Sequence, residues 1–252
     1  MATIRTLFGR FSRHRVLKRK LPADLGGRRL YVSPDAALRF WLPITDRTDP
    51  LLFQLVREFV KPGAVVWDVG ANVGLFSFAA AALAGEAGFV LAIEADPWLA
   101  SLLIRTAEVH PTRQASVAVL AAAVSNVPGV ARFHVARRGR NANSLEGLGA
   151  DGGASGGARY SFPIPTVTLD GLMDFFPAPS LIKIDIEGAE YQALVGAQLM
   201  LAKPAGDSRR SCGVKPESGT GVSSRLQVFH DECAAGRWCS QQSHCRADRV
   251  KR

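Results

Sequence analysis

The stretch Val65-Val66-Trp67-Asp68-Val69-Gly70-Ala71-Asn72-Val73-Gly74-Leu75 decides the fold of this chain. Residues 64–69 form a short apolar run that ends at a glycine, which is typical of a buried parallel strand. The apolar segment 75–83 that follows predicts a helix. Gly70 permits a sharp turn off the strand, and Gly74 permits close packing where the helix begins. This order of strand, glycine turn and helix predicts a doubly wound sheet, whose ligands bind beyond the carboxyl ends of its strands.

The rest of the chain repeats the alternation of strand and helix. Asp49 is predicted to cap a helix that has Pro50 at its first position and ends near Val60, and Asp96 with Pro97 repeats this signal for a helix that ends near residue 110. Further strands are predicted at residues 89–93, 117–124, 131–135 and 181–187, with a strand leading into a short helix at 166–176, a helix at 189–201, and a strand pair around residues 33–35. Right-handed crossovers then give an α/β fold, a mostly parallel Rossmann-like sheet with helices on both faces.

Composition divides the chain into three parts. Hydrophobic residues make up 47% of the 252 residues, which is enough for a core, and we predict a domain over residues 30–203. The lead-in 1–29 holds nine Lys/Arg and one acidic residue, so it is either a solvated basic segment or a contact for nucleic acid or anionic lipid. No apolar run approaches the roughly 20 residues that span a bilayer, and we expect a cytoplasmic protein.

The glycine turn differs from a dinucleotide site. In the dinucleotide fingerprint a second glycine lets the backbone approach a pyrophosphate, and here Asn72 stands in its place. Asp68 would repel a diphosphate and would suit a cationic group. Glu94 follows the second strand, at the position of an acidic residue that accepts hydrogen bonds from a ribose. Asp68, Gly70, Asn72, Gly74 and Glu94 together predict a binding site for S-adenosylmethionine, which carries a ribose and a sulfonium but no diphosphate.

A second acidic strand, Leu181-Ile182-Lys183-Ile184-Asp185-Ile186-Glu187, ends on the same side of the predicted sheet. Alternation places Lys183, Asp185 and Glu187 on one face, with the Cβ atoms of the two carboxylates roughly 7 Å apart. Asp185 or Glu187 could act as a general base on an acceptor hydroxyl, or both could hold a divalent cation. The alternative is a structural pair of Lys183 with Asp185 and a Glu187 that caps the following helix.

Four segments of the sequence resemble the FkbM family of methyltransferases over roughly residues 40–203. They are Val66-Trp67-Asp68-Val69-Gly70-Ala71-Asn72-Val73-Gly74, Ile93-Glu94-Ala95-Asp96-Pro97, Val167-Thr168-Leu169-Asp170 and Ile182-Lys183-Ile184-Asp185-Ile186-Glu187-Gly188-Ala189-Glu190. The resemblance implies the Rossmann-like methyltransferase sheet and O-methylation of a sugar, glycolipid or polyketide hydroxyl. It also implies that the cofactor site holds Asp68, Gly70, Asn72, Gly74 and Glu94, and that Asp185 and Glu187 form the floor of the active site. No metal ligands are assigned, and whether the reaction needs a divalent cation stays open at the level of sequence.

The tail 204–252 departs from the family's pattern. It is rich in Ser, Gly, Arg and Cys, and it lacks the apolar strand that the family places after the helix at 189–201. We therefore predict an irregular or disordered tail and a sheet that is incomplete at this edge. A frameshift near Lys203 is one hypothesis, which the other two reading frames of the coding DNA would test. A zinc module is the rival, but Cys212, Cys233, Cys239 and Cys245 lack the paired spacing of zinc ligands.

Three functions are therefore open at the level of sequence. The first is an active S-adenosylmethionine-dependent O-methyltransferase with a small-molecule or glycan acceptor. The second is a catalytically impaired remnant that still binds the cofactor. The third, a nucleic-acid-binding protein, depends on the basic ends alone. Residues 136–160 contain seven glycines, and they are predicted either to form a lid or substrate loop or to be disordered.

Overall fold

The computed structural model describes residues 12–109, 112–137, 139–147, 157–186 and 188–202, and the backbone of 227–230. Five parallel strands form the central sheet in the spatial order β11-β10-β3-β4-β5, which confirms the predicted doubly wound, mostly parallel sheet. The strands are β1 (Leu17–Lys20), β2 (Arg29–Val32), β3 (Val65–Val69), β4 (Phe89–Ile93), β5 (Ser116–Leu120), β6 (Ala123–Val124), β7 (Gly129–Ala136), β8 (Ser144–Leu145), β9 (Ala158–Val167), β10 (Leu181–Ile184) and β11 (Gln227–His230).

Helices cover both faces of this sheet. They are α1 (Pro50–Phe59), α2 (Leu75–Ala84), α3 (Pro97–Ala107), α4 (Leu169–Leu172), α5 (Glu190–Val195) and α6 (Gln198–Ala202). The two predicted caps are confirmed, because the Asp49 carboxylate accepts from the backbone N–H of Leu52 and the Asp96 carboxylate accepts from that of Trp98. None of the described helices is long and apolar enough to cross a membrane.

Each face of the sheet has its own apolar core. One core contains buried residues of α1, α2 and α3 together with the N-terminal strands, among them Phe53, Phe78 and Leu103. The other contains Trp67 and Ile93 of the sheet with residues of α4, α5 and α6. The sheet is therefore buried between two helical layers, and its ligand-binding edge is the row of strand carboxyl ends.

The N-terminal region differs from its prediction. The strand pair expected around residues 33–35 is wrong: β2 pairs antiparallel with β1, which lies inside the basic lead-in. Arg28 is buried and donates hydrogen bonds to the carbonyls of Thr106, Ala107 and Val109 at the end of α3. Burial lowers the pKa of Arg28 to about 10. A basic residue in this lead-in therefore caps a helix, where the negative end of the helix dipole attracts a cation.

A second sheet lies beside the first, in the order β6-β9-β7-β8. The single strand predicted at residues 117–124 is divided, since β5 ends at Leu120 and β6 joins the second sheet. The strand predicted at 131–135 is the longer β7, which pairs antiparallel with β9. The glycine-rich segment 136–160 is ordered at both flanks, where it forms a 3-10 turn (Arg140–Ala142), β8 and the start of β9. Residues 148–156 lie outside the described residues.

Two C-terminal elements also differ from prediction. The helix expected at 189–201 is divided into α5 and α6 at Gly196, where a side chain could not fit because a Cβ would lie 2.4 Å from the carbonyl oxygen of Ser125. Both oxygens of Asp170 then accept hydrogen bonds from the first turn of α6, from Leu199 and Met200. The prediction of a tail without strands is wrong for Gln227–His230, because β11 pairs in parallel with β10. The four cysteines and the frameshift hypothesis concern residues outside the described ranges.

Candidate active site

A cavity of about 440 Å³ lies at the carboxyl ends of β3, β4 and β10. Its inner wall is the turn after β3, with the residues that follow β4 and β10. Its outer walls are formed by two other segments. One lies between residues 37 and 52, before α1 and in its first turn, and the other lies between residues 133 and 145, in β7, in β8 and in the connection between them. The volume falls within the range of about 300–1,000 Å³ that is usual for small-molecule sites.

The turn after β3 has the backbone that its glycines predict. Gly70 has a φ of +78°, and a Cβ there would lie 1.9 Å from the carbonyl oxygen of Asp185. Gly74 has a φ of +86°, and a Cβ there would lie 2.5 Å from the ring of Phe78. Asn72 also has a positive φ, +54°, a conformation that asparagine tolerates better than most residues. Only Gly70 and Asn72 of these three line the cavity; Gly74 acts in packing.

Glu94 links the turn to the end of β4. Its Oε2 accepts from the backbone N–H of Asn72 at 2.7 Å, and its Oε1 accepts from that of Asp96 at 2.8 Å. Burial raises the pKa of Glu94 to about 7, although these two hydrogen bonds act in the opposite direction. Each oxygen keeps a second lone pair, so Glu94 can still accept from a ligand in the cavity.

Asp68 lies beneath the cavity and not in its wall. Its carboxylate is completely buried, with one oxygen 3.1 Å from Lys183 Nζ and the other accepting from the hydroxyl of Ser77. Burial alone lowers the pKa of Lys183, but the Asp68 and Asp185 carboxylates together more than offset this and raise it, so the lysine stays protonated. Because Lys183 neutralises Asp68, the argument that Asp68 directly attracts a cationic ligand loses its basis in this geometry.

Of the two predicted catalytic residues, Asp185 lies within the described residues. Its side chain is 40% exposed, lines the cavity and lies 3.5 Å from Lys183 Nζ. Lys183 also donates to the carbonyl of Gly70, so one ammonium contacts Asp68, the turn and Asp185. Lys183 and Asp185 therefore lie on the same face of the strand, as predicted. They also form the ion pair that the alternative interpretation, a structural role for Asp185, predicts. Glu187 lies outside the described residues.

A buried ionic network that no sequence pattern predicted lies on the opposite wall of the cavity. Arg140 donates to Asp35 at 3.0 Å, to Asp96 and to the hydroxyl of Tyr160, and its guanidinium lies 4.6 Å from the centre of the Trp98 ring. Burial alone lowers the pKa of Arg140, but the Asp96 carboxylate and the Tyr160 hydroxyl together more than offset this and raise it. Arg159 forms a second, bidentate pair with Asp35. This network fixes the 3-10 turn before β8 against the segment that carries Glu94.

Two of the residues that line the cavity, Asn72 and Ser144, each have a buried side-chain oxygen without a hydrogen-bond partner among the described residues. The atoms are Asn72 Oδ1 and Ser144 Oγ. Buried polar groups are nearly always paired, so a water molecule or a ligand is expected to complete the hydrogen bonding of both. Sequence patterns predicted Asn72 but not Ser144. Within the described ranges, no three His, Cys, Asp or Glu side chains group together as metal ligands.

The sheet order, the glycine turn and the acidic residue after β4 define the class of this protein. The sheet is parallel and has a cavity at its carboxyl edge. A turn with Gly70 and Asn72 replaces the dinucleotide fingerprint, and Glu94 lies beside this turn. These are the features of a Rossmann-like methyltransferase.

Comparison with protein families agrees with this class and makes it specific. The family described as "Methyltransferase FkbM domain" matches residues 68–215, more than half of the chain. The chain belongs to the FkbM methyltransferase family. No curated protein sequence matches it significantly.

Solved structures that match the chain are distant. TrmN from Thermus thermophilus is 16% identical, with 80% of this chain and 42% of that one covered and a TM-score of 0.38. Trm5b from Pyrococcus abyssi is 19% identical, with 41% and 31% covered and a TM-score of 0.29. The arsenic (III) S-adenosylmethionine methyltransferase of Chlamydomonas reinhardtii is 24% identical, with 25% and 22% covered and a TM-score of 0.23. The matches span less than half the length of each of these structures.

Proposed function

We propose that this chain binds S-adenosylmethionine in the cavity and transfers its methyl group to a hydroxyl of a sugar, glycolipid or polyketide-type acceptor. The observation that carries the proposal is the convergence of Gly70, Asn72, Glu94 and Asp185 on one cavity of about 440 Å³. The membership in a methyltransferase family supports the same reaction class.

The residues around the cavity fit this cofactor. Glu94 keeps free lone pairs toward the cavity, which suit the two hydroxyls of a ribose. The buried Oδ1 of Asn72 has no partner among the described residues, and a donor on the ligand would satisfy it. The bound cofactor supplies an electrophilic methyl group on a sulfonium. Asp68 contributes indirectly, since it holds Lys183 against the carbonyl of Gly70 and so fixes the turn.

Asp185 is proposed as the general base. It is exposed enough for an acceptor hydroxyl to approach, and the protonated Lys183 holds its carboxylate beside the turn. The backbone N–H of Asp185 also donates to the carbonyl of Val69 at 3.0 Å, which ties the base to the end of β3. The chain's main work is then positioning, with the acceptor oxygen aligned for direct displacement and its proton passing to Asp185.

Calorimetry and a transfer assay test the proposal in two steps. Micromolar binding of S-adenosylmethionine to the purified full chain is expected, and no binding would contradict it. Methyl transfer from labelled cofactor to a pool of sugars, glycolipids and polyketides is then expected to depend on Asp185. Binding without transfer to any acceptor would favour the second candidate, a cofactor-binding remnant.

A further inference from the structure

Among the described residues, six buried side-chain polar atoms lack a hydrogen-bond partner, and two of the six belong to residues that line the cavity. Asn72 belongs to the glycine turn, so its orphaned oxygen is part of the proposed cofactor site. Ser144 belongs to β8, in a sheet that is separate from the glycine turn. Its residue surface is 6% exposed, so water scarcely reaches the hydroxyl from outside. An unpaired buried hydroxyl lowers stability, which favours a functional reason for its presence.

The neighbours of Ser144 place it next to the acidic residue of the site. Asn143 donates to the Asp96 carboxylate at 2.9 Å, and the backbone N–H of Asp96 donates to Glu94 at 2.8 Å. Leu145, on the other side of Ser144, packs in the small apolar cluster that also contacts Ala95. Ser144 is therefore preceded by a residue that contacts Asp96 and followed by a residue of the cluster that Ala95 packs against. The segment 94–96 borders the end of the cavity where a ribose is proposed to bind.

The position of β8 is rigid, so the hydroxyl stays at a fixed place in the wall. Arg140 binds Asp96 and Asp35 just before β8, and Asn143 accepts from the backbone N–H of Ala136 as well as donating to Asp96. β8 itself pairs antiparallel with β7, with Ser144 opposite His134. The Ser144 hydroxyl is buried even from the cavity in its present position, so contact with a ligand requires the side chain to rotate to another staggered position.

We infer that Ser144 is a cofactor-binding residue, whose hydroxyl forms a hydrogen bond with the nucleoside half of the ligand, at a ribose hydroxyl or an adenine nitrogen. This inference rests on the proposed function. A serine hydroxyl both donates and accepts, so it suits either of these neutral polar groups. The second sheet thus contributes to cofactor binding and not only to the acceptor side of the cavity.

Calorimetry on the full chain tests the inference with two probes, S-adenosylmethionine and adenosine alone. Ser144→Ala is expected to weaken the binding of both by about fivefold, the effect of one lost hydrogen bond. Ser116→Ala is the matched control, because Ser116 is exposed at the opposite end of the sheet, and it is expected to bind like the wild type. Unchanged binding of adenosine by Ser144→Ala would overturn the inference while leaving the proposed function intact.

A thermal melt without ligand separates binding from a structural role. Ser144→Ala is expected to melt at the same temperature as the wild type or higher, because an unsatisfied buried hydroxyl has been removed. A lower melting temperature would show that the hydroxyl has a structural partner, and would overturn the inference. Absence of any S-adenosylmethionine binding by the wild type would overturn the proposed function and this inference together.

Discussion

Lys183 lies between two carboxylates, and its contact with Asp68 is the more buried of the two. The Lys183→Met substitution leaves the completely buried Asp68 without its cation, with only the Ser77 hydroxyl as a partner. We expect the free energy of unfolding to fall by about 3–5 kcal/mol, measured by urea denaturation.

Two further variants control this prediction. The double substitution Lys183→Met with Asp68→Asn is expected to recover part of the loss, because the amide carries no charge. Lys61→Met removes an exposed ammonium that donates to the carbonyl of Glu58, and is expected to change stability by less than about 0.5 kcal/mol. A double variant no more stable than the single one would contradict the prediction.

Glu94 makes stability depend on pH in an unusual direction for a carboxylate. Burial raises its pKa from 4.5 to about 7, so between these values the folded protein binds more protons than the unfolded chain. The stability that Glu94 contributes is present below about pH 4.5 and is lost as the pH rises to about 7. We expect the stability difference between wild type and Glu94→Gln to fall by about 3 kcal/mol across this window.

Urea denaturation at several pH values measures this difference. A difference that stays constant from pH 4.5 to 7 would contradict the shifted pKa. The same variant has a functional readout, because an ionised Glu94 accepts more strongly from ribose hydroxyls than a neutral carboxyl does. Cofactor affinity of the wild type is therefore expected to rise as the pH passes about 7, and that of Glu94→Gln to stay flat.

At the scale of elements, the turn after β3 depends on close packing as well as on backbone conformation. Gly70→Ala would place a Cβ 1.9 Å from the carbonyl oxygen of Asp185, whereas Gly63→Ala meets nothing within 4 Å at a similar φ. Strain from a positive φ, about 1–2 kcal/mol, is common to both. We expect Gly70→Ala to cost at least about 2 kcal/mol more and to abolish cofactor binding, measured by urea denaturation and calorimetry. Equal losses in the two variants would contradict this.

Two arginine variants in the β7–β8 region, one in the buried ionic network and one in an exposed ion pair, provide a second matched comparison. Arg140→Met removes a buried guanidinium from Asp35 and Asp96, and we expect a loss of about 3 kcal/mol by urea denaturation. Arg132→Met breaks an exposed pair with Glu146 at 3.7 Å, and is expected to cost less than about 0.5 kcal/mol. Similar losses for both would mean that the buried network does not anchor β8.

Local signals explain which elements were predictable. A capping carboxylate followed by proline starts α1 and α3, and an apolar run before a glycine ends β3, so three to five neighbouring residues were sufficient. The predicted helix divides at Gly196, where the carbonyl of Ser125, far away in sequence, leaves no room for a Cβ. Arg140 likewise pairs with Asp35, from which it is separated by 105 residues in sequence. A local sequence pattern cannot indicate contacts over such separations. The inner wall of the site, which depends on local patterns, was therefore predictable, and the outer walls were not.

At the scale of the whole molecule, β11 is the outermost strand beside β10. A chain that ends at Ala202 would leave the edge of β10 with unpaired N–H and C=O groups, which favour association between chains. We expect this truncated chain to aggregate at concentrations at which the full chain does not, measured by light scattering. Equal solubility of the two chains would mean that β11 does not protect this edge.

A Cβ at Gly70 would lie 1.9 Å from the carbonyl oxygen of Asp185, so the main chains of the cofactor turn and of the proposed base approach each other closely. This packing limits the movement of one relative to the other, and we expect it to keep a constant separation between the bound cofactor and Asp185. The segments 37–52 and 133–145, by contrast, meet the cavity through side chains from outside the central sheet. Changes in these outer walls, by evolution or by design, are therefore expected to alter the acceptor while the proposed geometry of methyl transfer stays constant.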